Sequence, residues 1–262
     1  MSSRKQPKRR RPGQPPPRSG AHAVARREAS PRVLIAAAAI VLLLVAGVFA
    51  GLKLTSGSSD SPPPATTALP GAADVERLLK GIPQAGNMLG SPSAPVTLVE
   101  YIDLQCPYCQ QFETQVMPNV IDKYVRTGKL KVDARVLAFI GPDSQRGQAA
   151  AIAAGAQKKE FNFTQLLYAN QSGENTGWLS DDMVKAAAAS IPGMDVSKLL
   201  SDAGDSSVDA TAQRYVTQAT ADKVTGTPTL LVGASGGTLE TVTLQSPTDE
   251  QTLTDAIDAA LG

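Results

Sequence analysis

Hydrophobic positions divide the chain into stretches of different pattern. Val33 to Leu52 is an unbroken run of twenty apolar or small residues without a charge. A helix of that length spans about 30 Å, the thickness of a bilayer's hydrocarbon layer, so the run predicts a transmembrane segment. From Lys53 to about residue 72 the pattern dissolves into Ser, Gly, Pro, Thr and Ala, with Pro62-Pro63-Pro64 inside it. Such a stretch predicts a flexible tether. Periodic structure begins with a short helical candidate at Ala73–Lys80. After the turn-rich Leu89–Pro95, the run Val96–Ile102 is β-branched and apolar enough for a buried strand. Phe112, Val116, Val120 and Tyr124 then recur every four residues on one helical face, with Pro118 expected to kink that helix.

A second strand is expected at Leu130–Phe139. A helical stretch follows, through Gln145–Gln157, Phe161–Asn170, Asp181–Ser190, Ser197–Leu200 and Val208–Lys223. The chain closes with Thr229–Val232, a Gly-rich turn at Gly233–Gly237, Leu239–Leu244, and an amphipathic helix from about Thr248 to Leu261. Strand, helix, strand, many helices, strand, strand, helix describes an α/β fold whose sheet is covered on both faces. The helical middle, about residues 143–222, is then an inserted subdomain within a head spanning 73–262. Phe161, Phe163, Leu166 and Leu167 read as its core, and Trp178 as packing. No internal repeat is visible.

Charge changes the picture at one end only. The net charge of +1 conceals a basic tail: residues 1–32 hold ten Lys or Arg and the single acid Glu28. Of 25 bases and 24 acids in all, residues 33–262 therefore keep 15 and 23, a net of −8. Positive charge confined to a tail excludes nucleic-acid binding by the head. Beside an apolar run it predicts the opposite asymmetry, with a disordered tail held in the cytoplasm and everything after Lys53 exported. A cleaved signal peptide is the alternative, since Val48-Phe49-Ala50 resembles a cleavage site. Arg26-Arg27, followed by Glu28-Ala29-Ser30, does not make a twin-arginine signal. On either reading residues 53–262 occupy a compartment where disulfides persist. The lone histidine, His22, lies in the tail, so the head works without Ser-His-Asp triads, Cys-His nucleophiles or histidine-ligated metals.

The two cysteines, Cys106 and Cys109, sit three apart. As half a zinc site they need two further ligands. As a structural disulfide they close a very short loop and restrict the unfolded chain little. As a redox dithiol they need a strand-to-helix turn that sets the first sulfur at a helix N-terminus. The pattern supplies that context: the strand ends before Leu104, Cys106 opens the helix, and Pro107 suits the first helical position. Unpaired N–H groups at the helix start favour a thiolate at Cys106. A thiol pKa lowered from ~8.5 to roughly 5.5 stabilises the reduced form by about 2 kcal/mol at pH 7, or about 45 mV.

Residues from about Ile82 to Gly233 resemble the exported, DsbA-like branch of the thioredoxin superfamily. The resemblance rests on Gly90–Pro95, on Val96-Thr97-Leu98-Val99-Glu100-Tyr101-Ile102-Asp103-Leu104-Gln105-Cys106-Pro107-Tyr108-Cys109, and on Val224-Thr225-Gly226-Thr227-Pro228-Thr229. It implies a thioredoxin-like fold with a helical insertion. Cys106 would be the exposed nucleophile and Cys109 the resolving thiol. Glu100 would be a buried acid that takes and returns the Cys109 proton; an exposed strand glutamate is the alternative. Pro228 would be a cis-proline that presents the Thr227 backbone to a client and leaves no N–H beside the sulfurs; an ordinary strand-initiating proline is the alternative. Tyr108 stands where such oxidases often carry histidine, which puts an extremely low Cys106 pKa in question. Asp103 reads as a cap of the turn or a solvent-facing residue. The implied activity is thiol–disulfide exchange with exported client proteins that carry cysteines, in the oxidising direction, from a single-pass anchor in the cytoplasmic membrane. A membrane quinone-linked thiol oxidase would restore the disulfide, with no cofactor or metal in the head itself. A reductase or isomerase of the same fold, or a peptide-binding chaperone whose cysteines form a stable bridge, are the alternatives.

Overall fold

The structure, a computed structural model, describes residues 68–262. The expected basic tail, transmembrane segment and most of the tether lie outside the described residues. Among the described residues no helix is long and apolar enough to cross a membrane. In chain order the elements are α1 (Ala72–Leu79), β1 (Gln84–Ala85), β2 (Met88–Leu89), β3 (Val96–Ile102), α2 (Pro107–Gln115) and α3 (Met117–Val120). A π-helical turn (Ile121–Val125) leads to β4 (Leu130–Val136). Five helices follow: α4 (Pro142–Ala156), α5 (Glu160–Ala169), α6 (Asp181–Ala189), α7 (Val196–Asp202) and α8 (Ser206–Ala221). The chain ends with β5 (Thr229–Ala234), β6 (Glu240–Val242) and α9 (Glu250–Leu261).

The strands form one sheet in the order β1-β2-β4-β3-β5-β6. β3 is central, parallel to β4 with Val96 opposite Leu130, and antiparallel to β5 with Tyr101 opposite Thr229. Both faces of β3 are covered, which is why its sequence is nearly continuous in apolar residues. Val96, Leu98 and Ile102 join the main core with Phe112 of α2 and with Leu253 and Ile257 of α9. Val99 and Tyr101 point the other way, into a second core with Leu231 and with Tyr215 and Ala219 of α8. β4 keeps the two-residue alternation of a half-covered strand: Leu130, Val132, Ala134 and Val136 are buried, and the residues between them are partly exposed. The chain enters β3 through Gly90 at φ +102°, where a Cβ would lie 2.9 Å from both the Leu130 carbonyl oxygen and Val125 Cγ1. Only glycine fits there.

Three features depart from the sequence pattern. The hairpin of β1 and β2, turning at Gly86-Asn87, has no counterpart among the expected elements, because strands of two residues carry no period to detect. The second strand stops at Val136, short of Phe139, because the Phe139 and Ile140 N–H groups turn to the Asp103 carboxylate. Pro118 does more than kink its helix. Having no N–H, it sits in the first turn of a new helix, α3, and the chain then loosens so that Arg126 N–H reaches the Ile121 carbonyl five residues back, at 2.8 Å.

Candidate functional site

The turn between β3 and α2 is built around Asp103, which is completely buried. Its Oδ1 accepts from Gln105 N–H at 2.9 Å and from the Ser144 hydroxyl at 2.7 Å. Its Oδ2 accepts from Phe139 N–H at 2.8 Å and Ile140 N–H at 3.1 Å. Its carbonyl accepts from Cys106 N–H at 2.9 Å and from the Tyr168 hydroxyl at 3.1 Å. One residue thus ties the turn to the end of β4, the start of α4 and α5. It does cap the turn, and the solvent-facing alternative is excluded. Gln105 and Gln171 complete the clamp: Asn175 N–H donates to Gln105 Oε1 at 2.7 Å, and Gln171 Nε2 donates to the Leu104 and Cys106 carbonyls at 2.8 and 3.2 Å. Gly147 of α4 allows the close approach, since a Cβ there would lie 2.9 Å from Leu104 Cδ1.

Cys106 is the N-cap of α2, with Pro107 in the first turn as the spacing predicts. Its Sγ accepts from Cys109 N–H at 3.4 Å and, as a thiol, donates to the Thr227 carbonyl at 3.2 Å. The Thr227–Pro228 peptide bond is cis, and the two motifs meet at one sulfur although Cys106 and Thr227 are 121 positions apart in sequence. The loop that carries them is anchored upstream. The Tyr101 hydroxyl of β3 donates to Asp222 Oδ2 at 2.6 Å, at the C-terminal cap of α8. Arg135 of β4 pairs with the same carboxylate at 3.4 Å.

The two thiols are free and differ in environment. Cys106 is lowered to about 6, first by hydrogen bonding from the Cys109 side chain, against burial, and then by Thr227 and the Cys109 and Tyr108 backbone. The helix-start amides therefore contribute, but the neighbouring thiol contributes more. Burial pushes the Cys109 thiol well up, and the Cys106 sulfur beside it pushes the same way. The expectation of an exposed Cys106 is corrected: it retains 5% of its surface and Cys109 none, because the N-cap side chain folds back beneath Thr227. The open surface belongs to its neighbour Tyr108, at 59%. Tyr108 and the Thr227–Pro228 loop edge a groove of about 560 Å³ that continues along Thr241, Val242 and Leu244, and none of its lining residues carries a formal charge. Alkylation of Cys106 followed against pH is expected to reach half its plateau near pH 6. A midpoint near pH 8.5, the ordinary thiol value, would contradict this geometry.

Comparison with known proteins places this arrangement. A family model described as thioredoxin matches residues 84–259, a span that holds both motifs. The chain belongs to the thioredoxin family. Within that family it is a DsbA-like thiol–disulfide oxidoreductase. It is 29% identical over 150 residues to a probable disulfide bond formation protein D of Bacillus cereus, covering 56% of this chain and 69% of that one. The solved structure of oxidised BdbD from Bacillus subtilis superposes with a TM-score of 0.59 at 19% identity, over 69% of this chain and 96% of that one. DsbA2 of Pseudomonas aeruginosa gives 0.52 at 27% identity, over 69% and 96%.

Within this thioredoxin-family fold, the sequence expectations fall together unevenly. Cys106, Cys109, Thr227 and Pro228 converge. Glu100 is buried at 1%, on the face of β3 opposite to Val99 and Tyr101 and therefore toward α2, which excludes the exposed alternative. Phe161, Phe163, Leu166 and Leu167 are core, and Trp178 packs against it partly buried, as expected. Gln105, Gln171, Tyr168 and Glu113 were missed. For Glu113 a signal existed: it follows Cys109 by four residues, so the two share a helical face.

Proposed function

We propose that this oxidoreductase forms disulfides in exported proteins, with Cys106 as nucleophile, Cys109 as resolving thiol and the head tethered to the membrane by residues 33–52. In the forward step a client thiolate attacks the Cys106–Cys109 disulfide at Cys106, and the sulfur–sulfur electron pair leaves on Cys109. A second client thiolate then attacks the client sulfur of the mixed disulfide and releases Cys106 as thiolate. The observation that carries this reading is the asymmetry of the pair: one sulfur lies at a helix start beside Thr227, depressed to about 6, and the other is fully buried and pushed up. The better leaving group is Cys106, which lies beneath Thr227 at the edge of the groove. The uncharged groove beside Tyr108 and Pro228 suits an extended, neutral client segment next to its cysteine. The membrane tether is supported by the apolar run behind the basic tail. An extracytoplasmic head follows from the same asymmetry, and a quinone-linked membrane oxidase is the class of partner that would take the electrons onward.

The direction rests on different ground. A thiol titrating at about 6 stabilises the reduced form at pH 7 by at most about 1.4 kcal/mol, less once solvent screening is discounted, which is at most about 30 mV. Reducing and oxidising members of this superfamily differ by about 150 mV, so the thiolate does not decide between them. What favours oxidation is that the relatives are named for disulfide bond formation. A reductase or isomerase is the second reading, favoured by a Cys106 value nearer thioredoxin's than DsbA's. Equilibration with glutathione buffers tests the two. A potential nearer −120 mV than −270 mV is the expected result, and one near −270 mV reverses the direction.

A further inference from the structure

Phenylalanine would fill the core at position 101 as well as tyrosine does, yet the chain places a hydroxyl there and uses it. Tyr101 is completely buried in β3, on the face that packs against α8. Burial first, and then the Asp222 carboxylate, push its phenol up. The hydroxyl therefore keeps its proton and donates a hydrogen bond to Asp222 Oδ2 at 2.6 Å. Arg135 of β4 donates from Nη1 to the same hydroxyl and lies 5.2 Å from the Tyr101 ring centroid, while its Nη2 donates to Asp133 at 2.8 Å. Asp222 itself is the C-cap of α8. The negative end of a helix favours cations, so local physics does not select a carboxylate at this position. A residue that breaks a local rule is one held by long-range partners, and here these are Tyr101 and Arg135.

The same tyrosine meets the other end of the loop. In the sheet register Tyr101 lies opposite Thr229, the residue after the cis-proline. Residues 223–228 run between Asp222 and Thr229. Within them Val224 N–H returns to the Ala219 carbonyl at 2.8 Å, Thr225 and Gly226 are exposed, and the Thr227 carbonyl accepts from Cys106 Sγ at 3.2 Å. Thr229 Oγ1 closes the turn on the Gly226 carbonyl at 2.8 Å. The main chain of Tyr101 thus holds one end of the loop and its side chain holds the other.

We propose that Tyr101 is a positioning residue for disulfide exchange: with Asp222 and Arg135 it pins both ends of the 223–228 loop, and so holds the Thr227 backbone over the Cys106 sulfur in the orientation that a client segment pairs with. The inference rests on the exchange reading above and adds to it a residue on the face of β3 turned away from α2. Without the hydroxyl, Asp222 keeps the 3.4 Å contact with Arg135, and the upstream end of the loop is free to drift. Two consequences then separate. Cys106 is buried beneath Thr227, so a drifting loop uncovers it and small reagents reach it faster. A client that pairs with the Thr227 backbone meets a loop that it must first order, and that ordering slows it. The two effects have opposite signs, and a loss of stability alone does not produce both.

The test compares three reactions of the full chain in wild type, Tyr101→Phe, Asp222→Asn, Asp222→Ala and the double variant Tyr101→Phe/Asp222→Ala. The first is alkylation of reduced Cys106 by iodoacetamide at the plateau of its pH profile. The others are reduction of the oxidised enzyme by an uncharged cysteine-containing peptide and by mercaptoethanol, a thiol with no peptide backbone. Tyr101→Phe is expected to slow the peptide reaction by about tenfold, to leave the mercaptoethanol reaction no slower than about half the wild-type rate, and to speed alkylation by about threefold or more. Asp222→Asn keeps an accepting oxygen for the hydroxyl and should lie closer to wild type than Asp222→Ala in all three. The double variant should exceed the worse single variant by no more than about twofold, since both substitutions remove one contact. A peptide-to-mercaptoethanol rate ratio within about twofold of wild type in Tyr101→Phe overturns the proposal whatever happens to Tm, because the hydroxyl then serves stability alone. Effects of Tyr101→Phe and Asp222→Ala that multiply overturn it too. Should Tyr101→Phe not fold, Asp222→Ala, which alters a partly exposed side chain, decides by the same ratio. Failure of the oxidised wild type to react with either thiol sinks the exchange reading instead; the alkylation rates then decide the pin, faster in Tyr101→Phe supporting it and unchanged overturning it.

Discussion

Cys106→Ser is expected to reduce disulfide exchange to the background of the uncatalysed thiol reaction, while Cys109→Ala is expected to accumulate a covalent client adduct on Cys106. The first variant removes the sulfur that hydrogen-bonds the Thr227 carbonyl of the groove-lining loop. A serine hydroxyl neither ionises at neutral pH nor forms a bond to sulfur that a thiol can displace. The second variant leaves that sulfur in place and removes the group that resolves the adduct. It also removes the largest influence on Cys106, the Cys109 side-chain hydrogen bond. The alkylation midpoint in Cys109→Ala should therefore rise above about 6, toward the ordinary thiol range. If the midpoint stays put, the α2 amides alone hold the thiolate. Mass spectrometry of the trapped species, with an alkylation profile of each variant, reads both outcomes. Client binding retained by Cys106→Ser with exchange lost separates an enzyme from a chaperone with an idle bridge; unchanged exchange in Cys106→Ser overturns the proposed nucleophile.

How far the site could be read from the chain follows from which interactions are local. Cys106, Pro107 and Cys109 lie within one turn, so spacing alone places a sulfur at a helix start, and the structure puts it there as N-cap. The strand before it was visible because a central strand covered on both faces has to be apolar along its length. The Thr227–Pro228 loop was reachable only through the family resemblance, since nothing local in Val224–Thr229 indicates which sulfur it will meet. Exposure was misjudged for a related reason. An N-cap cysteine is open in an isolated helix, and here it is covered by a loop 121 residues away. The hydrogen-bond clamp from Gln105, Tyr168 and Gln171 was invisible because a glutamine in a turn and polar residues in a helical insertion read as surface until their partners are known. Glu100 needed one further fact, the face of β3 that it occupies. That was decided when Val99 and Tyr101 were found packed against α8.

The same distinction between local and long-range partners makes Asp103 the costliest side chain near the site to remove. Asp103→Ala leaves the buried Gln105 N–H and the part-buried Phe139 and Ile140 N–H groups without their acceptor, and only the Ser144 hydroxyl can turn elsewhere. At about 1–3 kcal/mol for each stranded donor, the loss should reach about 3–5 kcal/mol. For a domain of this size that is a fall in Tm of roughly 10 °C, since each kcal/mol moves Tm by about 2–4 °C. Asp103→Asn should fall between, because its amide keeps one accepting oxygen and turns an NH2 toward donors on the other side. The chemistry should decline in the same order. Cys106 N–H is held by the Asp103 carbonyl, and the loop bearing Phe139 is held by its carboxylate, so loosening the turn releases the sulfur from Thr227. Thermal unfolding by circular dichroism, read beside the alkylation rate at pH 7, measures both effects. A Tm within about 2 °C of wild type in Asp103→Ala would mean that water replaces the carboxylate and that the turn keeps its shape without it.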